Sequence, residues 1–325
     1  MSKLILPRTF RHPSTKKTDT VSHIVREPAE GKRSPLIVSC PHAGLYIPEG
    51  FEERLATDPL TFIRRGDIYT DWLSKNAPQY GAAHIISTAA AAYLNIGRAI
   101  DSIHPDDLLN PGDLQTNPND KYVKNGLQQG LIALRTLYNN ETIYKNGQEP
   151  DAKEIQYRID QHYLPFHNGL ETLVDKALKQ HQRALVLDIH SCPSTGTEAD
   201  IDTGQTRPDI IISNADGKSC NPGLIDLMSA VTKEFGLSIY HNDPYSGGFI
   251  TQKYGAHSTK AQGSRQNDFD IQSVQIEFSR KSFGMDENTL EIEDGKAFIK
   301  MQNFATTLIS RLSEYTQDNQ HYRPA

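Results

Sequence analysis

Two histidines, a pair of aspartates and one glutamate stand at or near places where short apolar runs end. His42 follows "PLIVSC", His190 follows "LVLDI", and Glu277 interrupts "VQIEFSR". Between the histidines, "RRGDIYTDWL" carries Asp67 and Asp71, spaced to share one face if the stretch is helical. A carboxylate inside a buried strand is costly unless it is paired or metal-bound. A catalytic zinc takes three ligands from His, Asp or Glu and leaves a further position for water. His42 and His190 supply two ligands of that kind, and Asp67 or Asp71 the third. A metal so held lowers the pKa of water and polarises a carbonyl. Glu277, held off the metal, is then placed to take a proton from water and pass it to a leaving nitrogen.

The same stretches hold a rival. Cys40 and Cys192 lie beside His42 and His190 at mirror-image spacing, which suits a closed Cys₂His₂ zinc site or a Cys192 nucleophile. C-x-H is not a usual zinc-finger spacing, and small apolar packing is the commoner role for such cysteines. Asp188 reads either as a partner of the His190 imidazole or as a helix cap. The other histidines singled out, His84, His104, His162, His167, His181, His241 and His257, read as structural or surface groups.

Positioning these groups requires strands. Apolar, β-branched runs at 36–40, 83–88, 184–189, 209–213, 237–241 and 273–278 have strand length. The unbroken apolarity of 184–189 predicts a strand covered on both faces. Helical spacing falls between the runs. Asp151 with Glu154 resembles a capping box ahead of a pattern reaching Ala177, in which Pro165 predicts a kink or break. Residues 222–235 and 295–313 carry two further helical faces, and 105–120 is a long loop. Alternation of this kind implies a single α/β domain over 34–325, with a central mixed, largely parallel sheet flanked by helices. Residues 1–33, polar and aperiodic, read as an N-terminal arm or variable edge.

Composition narrows the class. A net charge of −6 provides no general attraction to nucleic acid, and no apolar run approaches membrane-spanning length. Three cysteines do not suit a disulfide framework, and the basic, polar start lacks a secretory core, so a cytoplasmic location is expected. Neither a dinucleotide fingerprint nor a P-loop is present.

Taken together and in order, "VSCPHAGLYIP", "GDIYTDWL", "YLNIGR", "YLPFH", "LDIHS", "DGKSCNP", "NDPYSGGFITQKYG" and "VQIEFSRKSFGMDE" resemble the N-formylglutamate amidohydrolases over about residues 34–290. That resemblance implies a zinc-carboxypeptidase-like fold and metal-dependent hydrolysis of a small anionic N-acyl amino acid. It implies His42, Asp67 and His190 as ligands of one Zn²⁺ and Glu277 as the general base. Arg98 falls on the arginine of the family's D-L-N-R segment, where it polarises the scissile carbonyl or grips a substrate carboxylate. Arg158 is a second candidate anion clamp, and Asn242, Gly247, Gly248 and Arg280 complete the expected substrate contacts. The D-L-N-R segment reads Asn95-Ile96-Gly97-Arg98 here, and "NDPYS" also departs from the family. Both departures are expected to bear on which acyl-amino acid fits, leaving metal and base untouched. A peptidase acting on short peptides and a non-catalytic binding protein are the alternative readings.

Overall fold

Leu36, Val38 and Cys40 face one side of a sheet and Ile37 the other, and all four are fully buried. The stretch 184–189 repeats the pattern, with Leu185, Leu187 and Ile189 on one side and Ala184 and Val186 on the other. Side chains alternate across a strand, so a run apolar at every position must be covered twice. The computed structural model describes residues 21–123, 129–255 and 270–318. His257 and the first 20 residues of the expected arm lie outside them.

The strands are β1 (His23–Arg26), β2 (Leu36–Cys40), β3 (Ala83–Ser87), β4 (Arg183–Cys192), β5 (Ile210–Ser213), β6 (Ile239–His241) and β7 (Asp270–Ser279). They form one mixed seven-stranded sheet in the order β1-β3-β2-β4-β7-β5-β6. β3, β2, β4 and β7 run parallel, β1 and β5 antiparallel to their inner neighbours, and β6 parallel to β5. The carboxyl ends of β2, β4 and β7 therefore lie side by side, where ligands gather in sheets of this kind. β1 belongs to the stretch read as an arm. Its four residues, HIVR, include two polar ones on an edge, too short and too mixed to show a strand period.

Short helices α1 (Pro59–Ile63) and α2 (Thr70–Leu73) follow β2, and α3 (Ala152–Arg158) and α4 (Leu164–His181) precede β4. Helices α5 (Pro222–Glu234), α6 (Phe249–Tyr254) and α7 (Gly295–Gln317) complete the layers. Asp151 caps α3 by accepting the Glu154 N–H at 2.8 Å. The expected break at Pro165 takes the form of a π turn, Ile159–Tyr163, joining α3 to α4. Proline lacks a donor and crowds the preceding turn, and the wider π turn accommodates both.

Arg158 is used in this region and not as an anion clamp. It is fully buried, stacks 4.1 Å over Tyr93, donates to the Tyr93 carbonyl at 2.7 Å and pairs with Glu154. Glu154→Ala, which strands this guanidinium, is expected to cost on the order of 3 kcal/mol in denaturant unfolding. The KM of the folded protein should not change.

Candidate active site

His42 leaves β2 through Pro41, and its carbonyl accepts the Asp67 N–H at 2.9 Å. The Asp67 carbonyl accepts the Thr70 hydroxyl at 2.7 Å as α2 begins. Backbone bonds thus bring together two side chains far apart in sequence. His190, near the end of β4, stands opposite Glu277 of β7. The His42 and His190 Nδ1 atoms lie 3.1 and 2.9 Å from Asp67 Oδ2 and 3.2 Å from each other.

The outer faces of the two rings determine what this cluster can hold. His190 Nε2 lies 2.9 Å from the acceptor Asp188 Oδ2, and His42 Nε2 lies 2.7 Å from Asn95 Oδ1 and 3.3 Å from the Gly97 nitrogen. A single proton on each Nε2 gives neutral rings whose Nδ1 lone pairs turn inward. In that state two nitrogens and a carboxylate oxygen converge, an arrangement that positive charge relieves, either a proton on one imidazole or a metal ion. Burial opposes charge on His190, but Asp188 and Asp67 raise its pKa well above the ordinary value. The spot calls for positive charge. Among the described residues, His42, Asp67 and His190 are the group whose ligand atoms all lie within 4.8 Å of one another. Two imidazoles and a carboxylate are a donor set that suits zinc.

Asp71 does not join them. The chain becomes helical only at Thr70, and Tyr69 has a φ of 75°, so Asp67 and Asp71 do not share a helical face. Burial pushes the Asp71 carboxyl up to about 6, against the pull of Arg26. Asp188 lies inside β4, which rules out a cap and leaves it as the imidazole's partner. The thiols of Cys40 and Cys192 are buried, and burial raises the pKa of both, which disfavours a nucleophile. Cys40 packs in the core and meets Ser74 and His84 at 3.5 Å.

A cavity of about 640 Å³ opens over the trio, bounded among others by Glu277, Arg98, Arg65, Tyr245 and Gly248. Burial pushes Glu277 up to about 7, with Asp67 adding to the rise and His190 opposing it. Gln275 Nε2 donates to Glu277 Oε1 at 2.9 Å, and Gln275 Oε1 accepts the Gly248 N–H at 2.7 Å. One amide thereby ties the carboxylate to the loop across the cavity. Gly247 in that loop has a φ of 118°, a conformation that favours glycine.

The other expected contacts divide. Arg98 lines the cavity, its guanidinium 3.5 Å from the Tyr122 ring centre. Arg280 also lines it but is committed to the protein, donating to the Gly66 and Arg64 carbonyls at 2.9 and 3.0 Å. It lies 3.8 Å from Asp67 Oδ1 and positions that carboxylate's segment. Asn242 does not line the cavity; it exchanges hydrogen bonds with Asn214, tying the end of β6 to that of β5. Arg158 lies outside the lining as well.

The departures at Asn95 and Gly97 touch the candidate metal group directly, contrary to the expectation from sequence. Asn95 holds His42 Nε2, and a Cβ at Gly97 would stand 2.8 Å from the same atom. Sequence reading also missed Arg65, Gln129 and Gln275. An adjacent arginine pair, a loop glutamine and a strand glutamine carry no motif.

Comparison with known proteins agrees with this architecture. The family model for N-formylglutamate amidohydrolase matches residues 34–283. An N-formylglutamate deformylase of Pseudomonas putida is 28% identical over 77% of this chain and 82% of its own length. One from Pseudomonas aeruginosa is 26% identical over 78% and 84%. The crystal structure of an N-formylglutamate amidohydrolase from Ralstonia eutropha JMP134 superposes with a TM-score of 0.77 at 27% identity, covering 91% of this chain and 98% of that one. The fold and these matches make the chain an amidohydrolase. It belongs to the N-formylglutamate amidohydrolase family.

Proposed function

We propose that this protein hydrolyses the N-acyl amide of a small acidic amino acid, N-formylglutamate above all, with one divalent metal at His42, Asp67 and His190. The observation that carries the reading is the set of three converging ligand atoms beneath a cavity that also holds Glu277 and Arg98. Zinc held by these residues would supply Lewis acidity and a lowered pKa for water.

The chain's own groups do the rest. Asp188 and Asn95 fix the imidazole tautomers. Gln275 aims Glu277, which takes a proton from the attacking water and returns it to the departing amine nitrogen. The water oxygen adds to the formyl carbon, the C–N bond breaks, and formate and the free amino acid leave. Arg98 holds a carboxylate of the substrate, orienting the amide over the trio. The guanidinium fork suits that task.

Purified protein should contain a single divalent ion and release formate from N-formylglutamate. A chelator should abolish turnover and zinc restore it. Activity that survives complete metal removal would sink the metal assignment. Faster turnover of dipeptides than of N-formylglutamate would favour the peptidase.

A further inference from the structure

Two arginines face the cavity with no carboxylate paired to either among the described residues. Arg65 donates to the Arg135 carbonyl at 3.1 Å and to Gln129 Oε1 at 3.2 Å. Arg98 donates through Nε to the Gln129 carbonyl at 3.3 Å, and its two terminal nitrogens have no protein partner among the described residues. One residue, Gln129, thus holds both guanidiniums, the first by its side chain and the second by its backbone. The acidic groups along the neighbouring loop are engaged elsewhere. Asp200 and Asp202 pair with Arg207 at 3.0 and 2.7 Å, and Glu198 accepts the Asn139 N–H at 3.2 Å.

Holding two like charges on one residue, with no carboxylate paired to either among the described residues, is unfavourable. Burial, with Arg98 adding to it, lowers the pKa of Arg65 to about 10, while Asp200 opposes the change. A ligand bearing two carboxylates supplies both missing charges. A ligand bearing one leaves a guanidinium desolvated and unpaired, and that penalty falls on the wrong substrate.

We infer that Arg65 is the specificity-determining residue of this site: it takes the side-chain carboxylate of an N-acyl dicarboxylic amino acid while Arg98 takes the other carboxylate, Gln129 setting the spacing between them. This rests on the amidohydrolase reading above and assigns its second anion contact to Arg65 in place of Arg158.

The test compares N-formylglutamate with N-formylglutamine, which differ by a carboxylate against an amide of the same shape. Wild-type protein should prefer the former by about 100-fold or more in kcat/KM, less than the roughly 10⁴–10⁵ of an analogue that lacks the polar group altogether, because the amide oxygen still accepts from a guanidinium. Arg65→Met should bring the preference to within about fivefold, chiefly by loss on N-formylglutamate, and Arg65→Lys should restore part of it. Circular dichroism and thermal unfolding report that each variant is folded. Glutarate binding by calorimetry gives a readout independent of chemistry, and Arg65→Met should weaken it at least tenfold. Unchanged preference or unchanged glutarate affinity in Arg65→Met overturns the inference. If wild-type protein hydrolyses neither compound but binds glutarate through Arg65, the amidohydrolase substrate reading fails while the dicarboxylate site stands.

Discussion

Glu277→Gln is expected to retain the metal and fold of the wild type and to lower kcat by about 10²–10⁴-fold, the usual contribution of a positioned general base. The amide keeps the shape of the carboxylate and the bond from Gln275 but cannot accept a proton at neutral pH. Glu277 sits across from His190 in the parallel β4–β7 register, at the end of the sheet where the cavity opens. It is not one of the three converging donors, so its loss should leave metal content unaffected. Elemental analysis and single-turnover kinetics on the same preparation separate the two effects. A non-catalytic binding protein gives this glutamate no chemical task and predicts no change in rate. Equal loss of metal and activity would instead make Glu277 a ligand.

His190→Ala is expected to have the larger effect, removing both bound metal and turnover down to background. The variant deletes one of three ligand atoms and leaves Asp188, buried within β4, without the imidazole it accepts from. Metal content measured by elemental analysis after dialysis checks the first part, and formate release the second. A graded control comes from Asp188→Asn, which keeps the ligand but weakens its orientation, and should lower metal affinity by about 10–100-fold. If His190→Ala keeps a stoichiometric ion and full activity, the trio is not the metal site.

The scaffold was readable in advance wherever burial imposes a pattern. The runs at 36–40 and 184–189 are apolar at nearly every position because helices or loops cover both faces of the sheet, and both became strands, as did most of 83–88. The Asp151 cap and the proline anomaly at 165 were legible for the same local reason, since each acts on backbone groups within a turn of itself. β1 escaped notice because an edge strand of four residues carries too little period.

Charged side chains were harder. Arg158 and Arg65 look alike as letters, each an arginine near a helical stretch. One closes a buried pair with Glu154, while the other faces the cavity with no carboxylate paired to it among the described residues. What an arginine does depends on which carboxylates the fold brings near it, and that information is nowhere in its neighbours along the chain. Asp67 and Asp71 pose the same problem in smaller form. A residue of positive φ at Tyr69 separates their directions, and no propensity rule places a tyrosine there.

By itself, then, the sequence determined six of the seven strands, the longer helices, the type of sheet and the residue types available at its carboxyl edge. Local sterics and the hydrophobic period act within a few residues, so they are written in the chain. Only the tertiary structure decided that two Nδ1 atoms and one carboxylate oxygen meet within 3.2 Å, that Asn95 rather than a substrate occupies the far side of His42, and that Gln129 joins Arg65 to Arg98. Those contacts span tens of residues to more than a hundred in sequence. They exist because strand order places β2 beside β4 and β4 beside β7, and because the loops that follow are pinned to those strands by hydrogen bonds.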